Sequence, residues 1–267
     1  MDELVDPMES HTEATLARTC LTGVNDDLLR AGKQGSVSAA RTALDAGANP
    51  NYRDGIGYTA LHYAALKGHS RLIRFLASRG ANPNVKSKQG CTALVLASRD
   101  NNLDVARALM GSRAKGSIRT MSGRTALHTA AACGAHDVAA FMIAGQASSH
   151  KDGIPFVPAM SVEAMNMRDN GGATALQEAT LQNNSRLIRV LLSNGASQDL
   201  QDKQCKRPAN IATMRGHAGA ARALASFKTQ AALKAAQRRM AGAKMANSAS
   251  EQRAMLRRLH RMRGRKG

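Results

Sequence analysis

The stretch GYTALHYAALKGHSRLIRFLASRGANPN, residues 57–84, decides the fold. It reads as two short antiparallel helices followed by a turn. Thr59 offers a hydroxyl to cap the first helix. Ala60, Leu61, Ala64 and Ala65 give that helix a small apolar face. Gly68 ends it, because a chain that turns there needs a positive φ. Leu72, Ile73, Phe75 and Leu76 recur at helical spacing and line a second helix. Gly80 stops that helix, and Ala81-Asn82-Pro83-Asn84 leads into a turn. Two helices this short cannot bury their apolar faces alone, so the unit requires neighbours.

The chain supplies them at a fixed period. Gly57, Gly90 and Gly123 are 33 residues apart, as are Thr59, Thr92 and Thr125, and Leu61, Leu94 and Leu127. The next copy, Thr174-Ala175-Leu176, comes 49 residues later, one period plus an insertion of 16. Arg207 stands one further period beyond Thr174. The related segments are TALHYAA (59–65), TALVLAS (92–98), TALHTAA (125–131), TALQEAT (174–180) and, more weakly, RPANIAT (207–213).

A helix-turn-helix period of this length carrying T-x-L-H-x-A resembles the ankyrin repeat. The resemblance covers about residues 21–225. It implies an all-α solenoid of helix-turn-helix plus β-hairpin units. Residues 1–20 are expected to form a flexible acidic leader. Units are expected at about 21–51, 52–84, 85–117, 118–149, 165–197 and 198–225, with an insertion at 150–164 and a basic helical or disordered tail over 226–267. In the first unit Asp26 falls where a helix cap is due, ahead of a polar helix from Asp27 to Gln34. A terminal repeat needs such a polar outer face. Asn101 and Asn183 stand where other copies have a helix-ending Gly, and Arg113 stands where Gly80 would be. The exit loop 111–117 is therefore expected to be irregular.

The net charge is +19 and is unevenly spread. Residues 1–20 hold five acids against Arg18, whereas 226–267 hold twelve Lys or Arg against Glu251. Such a balance favours anionic partners. Aromatic residues make up only 3%, which suits closely stacked short helices better than one large core. Cys20, Cys91, Cys133 and Cys205 lie far apart with no C-x-x-C, which argues against a disulfide framework and a zinc site and points to a reducing compartment, cytoplasmic or nuclear. No apolar run reaches membrane-spanning length.

No catalytic, cofactor or metal arrangement emerges. His62 and His128 have no Cys or carboxylate at ligand spacing. The resemblance gives them a structural role, hydrogen-bonding neighbouring loop backbone. It also implies that partners meet the hairpin tips and the concave face of the first helices. The chain is expected to be a monomer that acts as a non-enzymatic adaptor or scaffold and binds a protein with an acidic surface.

Tip positions carry Arg53, Lys86, Lys88, Arg119, Arg124, Arg168, Lys203 and Lys206. Asp54, Asp169 and Asp202 match the family's structural turn Asp, which Ser87 and Thr120 replace at the centre. In the insertion, Ile154, Phe156, Val157 and Met160 form an apolar cluster that either folds back on the array or anchors a partner. In the tail, Arg253, Arg257, Arg258, Arg261, Arg263, Arg265 and Lys266 offer a second anionic-partner surface. That tail leaves open a ribonucleoprotein or chromatin role, held by electrostatic contact with RNA or DNA. Without interleaved aromatics it cannot stack on bases.

Overall fold

The computed structural model describes residues 23–145 and 157–228. The leader, the tail beyond residue 228, Ile154, Phe156, and the tail cations Arg253, Arg257, Arg258, Arg261, Arg263, Arg265 and Lys266 lie outside the described residues.

The repeated pattern folds as pairs of helices, α1 (23–34) with α2 (Val37–Asp45), α3 (Ala60–Lys67) with α4 (Ser70–Ser78), and α5 (Ala93–Arg99) with α6 (Leu103–Gly111). Then come α7 (Ala126–Ala132) with α8 (His136–Ala144), the single-turn α9 (Val162–Met165), α10 (Ala175–Leu181) with α11 (Ser185–Ser193), and α12 (Pro208–Met214), followed in sequence by α13 (218–228). Residues up to 221 make one compact unit, and those from 222 belong to a second. The first helices pack in sequence as one layer, α3 on α5 on α7 on α10 on α12. The second helices α2, α4, α6, α8 and α11 form the other layer. Leu61, Leu94, Leu127 and Leu176, one per period, are completely buried, as are Ala64, Ala97, Ala130 and Ala179. Alanine at that second position lets neighbouring helices approach closely, so short helices gain burial from the stack that they lack alone.

The hairpins between pairs are tight loops, with no strand ladder among the described residues. Each is closed by the same backbone bonds: Asp54 N–H to Tyr58 C=O at 2.9 Å, Ser87 to Cys91 at 2.9 Å, Thr120 to Arg124 at 2.9 Å, Asp169 to Ala173 at 2.8 Å and Asp202 to Lys206 at 3.1 Å. Consecutive tips are joined in turn, Lys88 N–H to Ile56 C=O, Met121 to Gln89, Asn170 to Ser122 and Lys203 to Gly171, all at 3.0–3.1 Å. The tips thus form a continuous row despite the insertion.

Three local expectations require correction. Asp26 lies inside α1 and is not its cap, since the helix already runs through residues 23–34. The insertion is not loop to its end: Ser161 caps α9, and Met165 of that turn is buried. The exit loop after α6 is as regular as its counterpart after α4. Ala114 N–H reaches Leu109 C=O at 3.0 Å, as Ala81 reaches Leu76 at 3.0 Å. Asn84 accepts from Lys115 N–H at 2.8 Å and donates to Arg113 C=O at 3.1 Å. Asn51 holds the Asn82 amide and the Gly80 carbonyl in the same way. This anchoring overrides the missing glycine and holds Arg113 at φ 66°. Asn101 and Asn183, at φ 50° and 52°, adopt the left-handed conformation that Asn tolerates best after Gly.

An arginine in that region is strained by about 1 kcal/mol. Arg113→Gly is therefore expected to raise stability by up to about 0.5 kcal/mol, the strain relieved less the entropy that glycine adds to the unfolded chain. Urea midpoints of the two proteins measure this. A midpoint that is lower in the variant would show that Arg113 makes compensating contacts.

Candidate functional site

The site starts from the turn residue of each hairpin. The Asp54 carboxylate accepts the Ile56 and Tyr58 amides at 3.0 and 2.8 Å. Asp169 accepts those of Gly171 and Ala173, and Asp202 those of Gln204 and Lys206, at 2.8–2.9 Å. Ser87 and Thr120 retain only the second bond, from the Cys91 and Arg124 amides at 3.2 and 3.1 Å. These two hairpins keep their shape without a negative charge. Burial alone would raise the Asp54 carboxyl, but the Tyr63 hydroxyl, 2.5 Å away, the two amides and Lys33 hold it below the usual carboxylate range. Tyr63 is correspondingly pushed up to about 12 by burial and by donating to Asp54.

A residue three positions after each cap locks one hairpin to the next repeat. The Thr59 amide donates to His62 Nδ1 at 3.1 Å, which places the ring hydrogen on Nε2, 3.1 Å from the Cys91 carbonyl. His128 joins the Thr125 amide at 3.2 Å to the Ala173 carbonyl at 3.1 Å. Gln177 does the same with its amide group, accepting from Thr174 N–H at 2.8 Å and donating to Lys206 C=O at 2.7 Å. Val95 occupies this position in the unit between and cannot make either bond.

At that unit a cleft opens, lined by Tyr58, Cys91, Val95, Leu96, Arg99, Arg124 and Thr129 together with the tip residues Gln89, Thr120, Met121 and Ser122. Met121 is 73% exposed and Ile56 54%, and both sit on hairpin tips. Sequence reasoning missed this cleft. Its signal was present in the loss of His at Val95 beside the small Thr129 of the next helix.

The cations of the tips divide into two groups. Lys86, Lys88 and Lys203 are exposed, as is Arg53, whose guanidinium lies beside Gly57. Lys206 reaches Gln204 Oε1 at 2.8 Å. The others work within the array. Arg119 Nε donates to the Gly123 carbonyl at 3.1 Å, and its NH2 group to the Arg168 carbonyl at 2.7 Å. Arg168 repeats this one unit further on, from Nε to Gly172 C=O at 3.1 Å and from NH2 to Gln201 C=O. Arg124 pairs with the buried Glu178 and lies 3.8 Å from Asp169. These three arginines fasten neighbouring repeats, and Arg119 and Arg168 are exposed as well. Val157 of the insertion is 2% exposed, so it is no surface anchor. Half-buried Met160 is tied back by its amide to the Ile143 carbonyl at 3.2 Å.

Among the described residues no three His, Cys, Asp or Glu are grouped to hold a metal ion, and no helix is long and apolar enough to cross a membrane. A family model for ankyrin repeats in three copies matches residues 28–120, 81–152 and 115–202. No curated protein matches the chain.

Burial pushes the imidazoles of His62 and His128 below their ordinary value of about 6.5. A base with a depressed folded pKa stabilises fully above the unfolded value and loses that contribution as pH falls below it. Each unit of depression is worth about 1.4 kcal/mol. The melting temperature is thus expected to fall as pH drops from about 7 towards 5. A His62→Gln/His128→Gln variant, with Gln177 as its precedent, should lose clearly less. Parallel declines of wild type and variant, followed by circular dichroism, would show that other groups drive the acid transition.

Proposed function

Because this chain belongs to the ankyrin-repeat family, whose repeats generally mediate contacts between proteins, we propose that it is a non-enzymatic adaptor. It takes an apolar side chain of its partner into the cleft at Val95 and steers the partner's acidic flank with Lys86 and Lys88. The observation that carries this reading is the conjunction of that cleft with Met121, a largely exposed tip residue that lines it. An aliphatic side chain on a hairpin tip gains nothing for the fold, and interface cores are enriched in such residues, Met among them. The acid-free turns at Ser87 and Thr120 leave Lys86 and Lys88 uncompensated beside it. Charges at the edge of such a patch act mainly on the rate and selectivity of encounter. The open groove gives no water-excluded pocket of the kind catalysis uses.

Met121→Asp and Lys86→Glu/Lys88→Glu are the tests. Both alter exposed side chains and should leave the circular dichroism spectrum and melting temperature unchanged. Proximity labelling in cells, wild type against each variant, should show a common set of neighbours lost with Met121→Asp and reduced with the charge reversal. An unchanged set with both variants would sink the proposal that this cleft is the binding site.

A further inference from the structure

The outer helices carry a second surface. Arg41 in α2, Arg74 in α4 and Arg107 in α6 occupy the same register of their helices, each one period apart, and Arg189 recurs at that register in α11, two periods plus the insertion beyond Arg107 and past Ala140 of α8. All four are exposed. α2 packs on α4 and α4 on α6, so the first three form a row about 10 Å apart. Arg71, one turn before Arg74, broadens it. Across the outer helices α2, α4 and α6 and their exit turns there are seven cations, six of them arginine, against Asp45 and Asp104. Asp45 is already paired with Arg79 at 2.5 Å. Aromatic rings orient two of the row: Phe75 lies 5.6 Å from the Arg41 guanidinium and 5.5 Å from that of Arg79, and Phe141 lies 5.8 Å from that of Arg107. A guanidinium laid over a ring keeps its N–H edges directed outward.

We propose that this face of α2, α4 and α6 binds the phosphate backbone of a nucleic acid, without reading its sequence. The cations are nearly all arginine, whose planar fork donates to phosphate or carboxylate oxygens in pairs. One feature favours phosphate over an acidic protein: the face carries no exposed large apolar anchor. Ile56, Met121, Val162 and Met214, the exposed large apolar residues among those described, all lie off the outer helices. A protein interface is built around a desolvated apolar or aromatic core, whereas non-specific nucleic-acid binding needs only charge. The surface is separate from the cleft at Val95, so the two readings fail independently.

The test uses the full chain and its Arg41→Gln/Arg71→Gln/Arg74→Gln/Arg107→Gln variant. Each is titrated against a fluorescein-labelled single-stranded RNA of mixed sequence over a salt series, with circular dichroism as the check on folding. Removing four phosphate contacts should make the slope of log K against log salt shallower by about 3 and weaken binding at low salt at least about tenfold. The basic tail is present in both proteins, so coincident lines would mean that it carries the binding alone and would overturn the proposal. Labelled polyglutamate is the second probe. If it shows the arginine dependence and the RNA does not, the surface serves an acidic protein and the phosphate assignment is wrong.

Discussion

The structure depends on one recurring bond, the one that carries a side chain from the cap of an inner helix to the backbone of the next hairpin. A two-helix unit has too little apolar surface to hold itself together. Its hairpin has an equally local problem, since bonds within a five-residue loop fix its shape but not its angle to the array. His62, His128 and Gln177 solve both at once. Each fixes the start of its own helix and, through its far nitrogen, the carbonyl of the loop beyond. Burying a neutral donor and acceptor costs little when both are satisfied, and no buried side-chain polar atom among the described residues lacks a partner. The cost appears where the bond is absent. At Val95 the neighbouring loop and helix face are left without it, and that is where the cleft lies.

The same chain of dependence explains the glycine of each tip. A Cβ at Gly57 or Gly90 would come within 2.7 Å of the next tip's amide, and one at Gly172 within 2.9 Å, besides requiring a positive φ. The last hairpin has Cys205 there, at φ 57°. No further hairpin follows among the described residues, so only the backbone strain remains, and a small side chain tolerates it. The two requirements on this position are thus separable, and the terminal repeat shows the second one relaxed.

The period, the Thr caps and the buried Leu row were legible in the sequence because each is set by spacing within one repeat, and the resemblance to ankyrin repeats supplied the His bridges to the neighbouring loop. What was not legible depends on contacts across repeats. Arg119 and Arg168 look like tip cations in sequence, but their guanidinium groups reach carbonyls 49 and 33 residues away. Arg124 finds Glu178, 54 residues on, across the insertion. Nothing in their local context marks them as fasteners. Arg113 misled for the opposite reason: a local rule demands glycine, and the paired bonds from Asn84 override it. Val157 belongs to an insertion with no counterpart in the other units, so the period carries no information about which way it faces.

These cross-repeat contacts also sort the charge. On the hairpin side, Arg119, Arg124 and Arg168 are met by Asp169, Glu178 and by backbone carbonyls, while Lys86 and Lys88 stay exposed, so the charge there is split between local pairs and a few exposed lysines. On the outer helices the packing requirement is met entirely by the buried positions, such as Leu72, Ile73, Val105 and Ala106. Exposed positions one turn away are released from it. Arginines spaced about 10 Å apart stand close to one Debye length at physiological ionic strength, so their mutual repulsion takes little from stability. A flexible polyanion laid along the row meets every one of them at contact distance, where screening is weakest. Attraction to such a ligand therefore grows with each arginine in the row of α2, α4 and α6, while the repulsion within the array stays between nearest neighbours. A stacked fold can accumulate charge on one layer in this way because the layer's register repeats and its core does not involve the charged position.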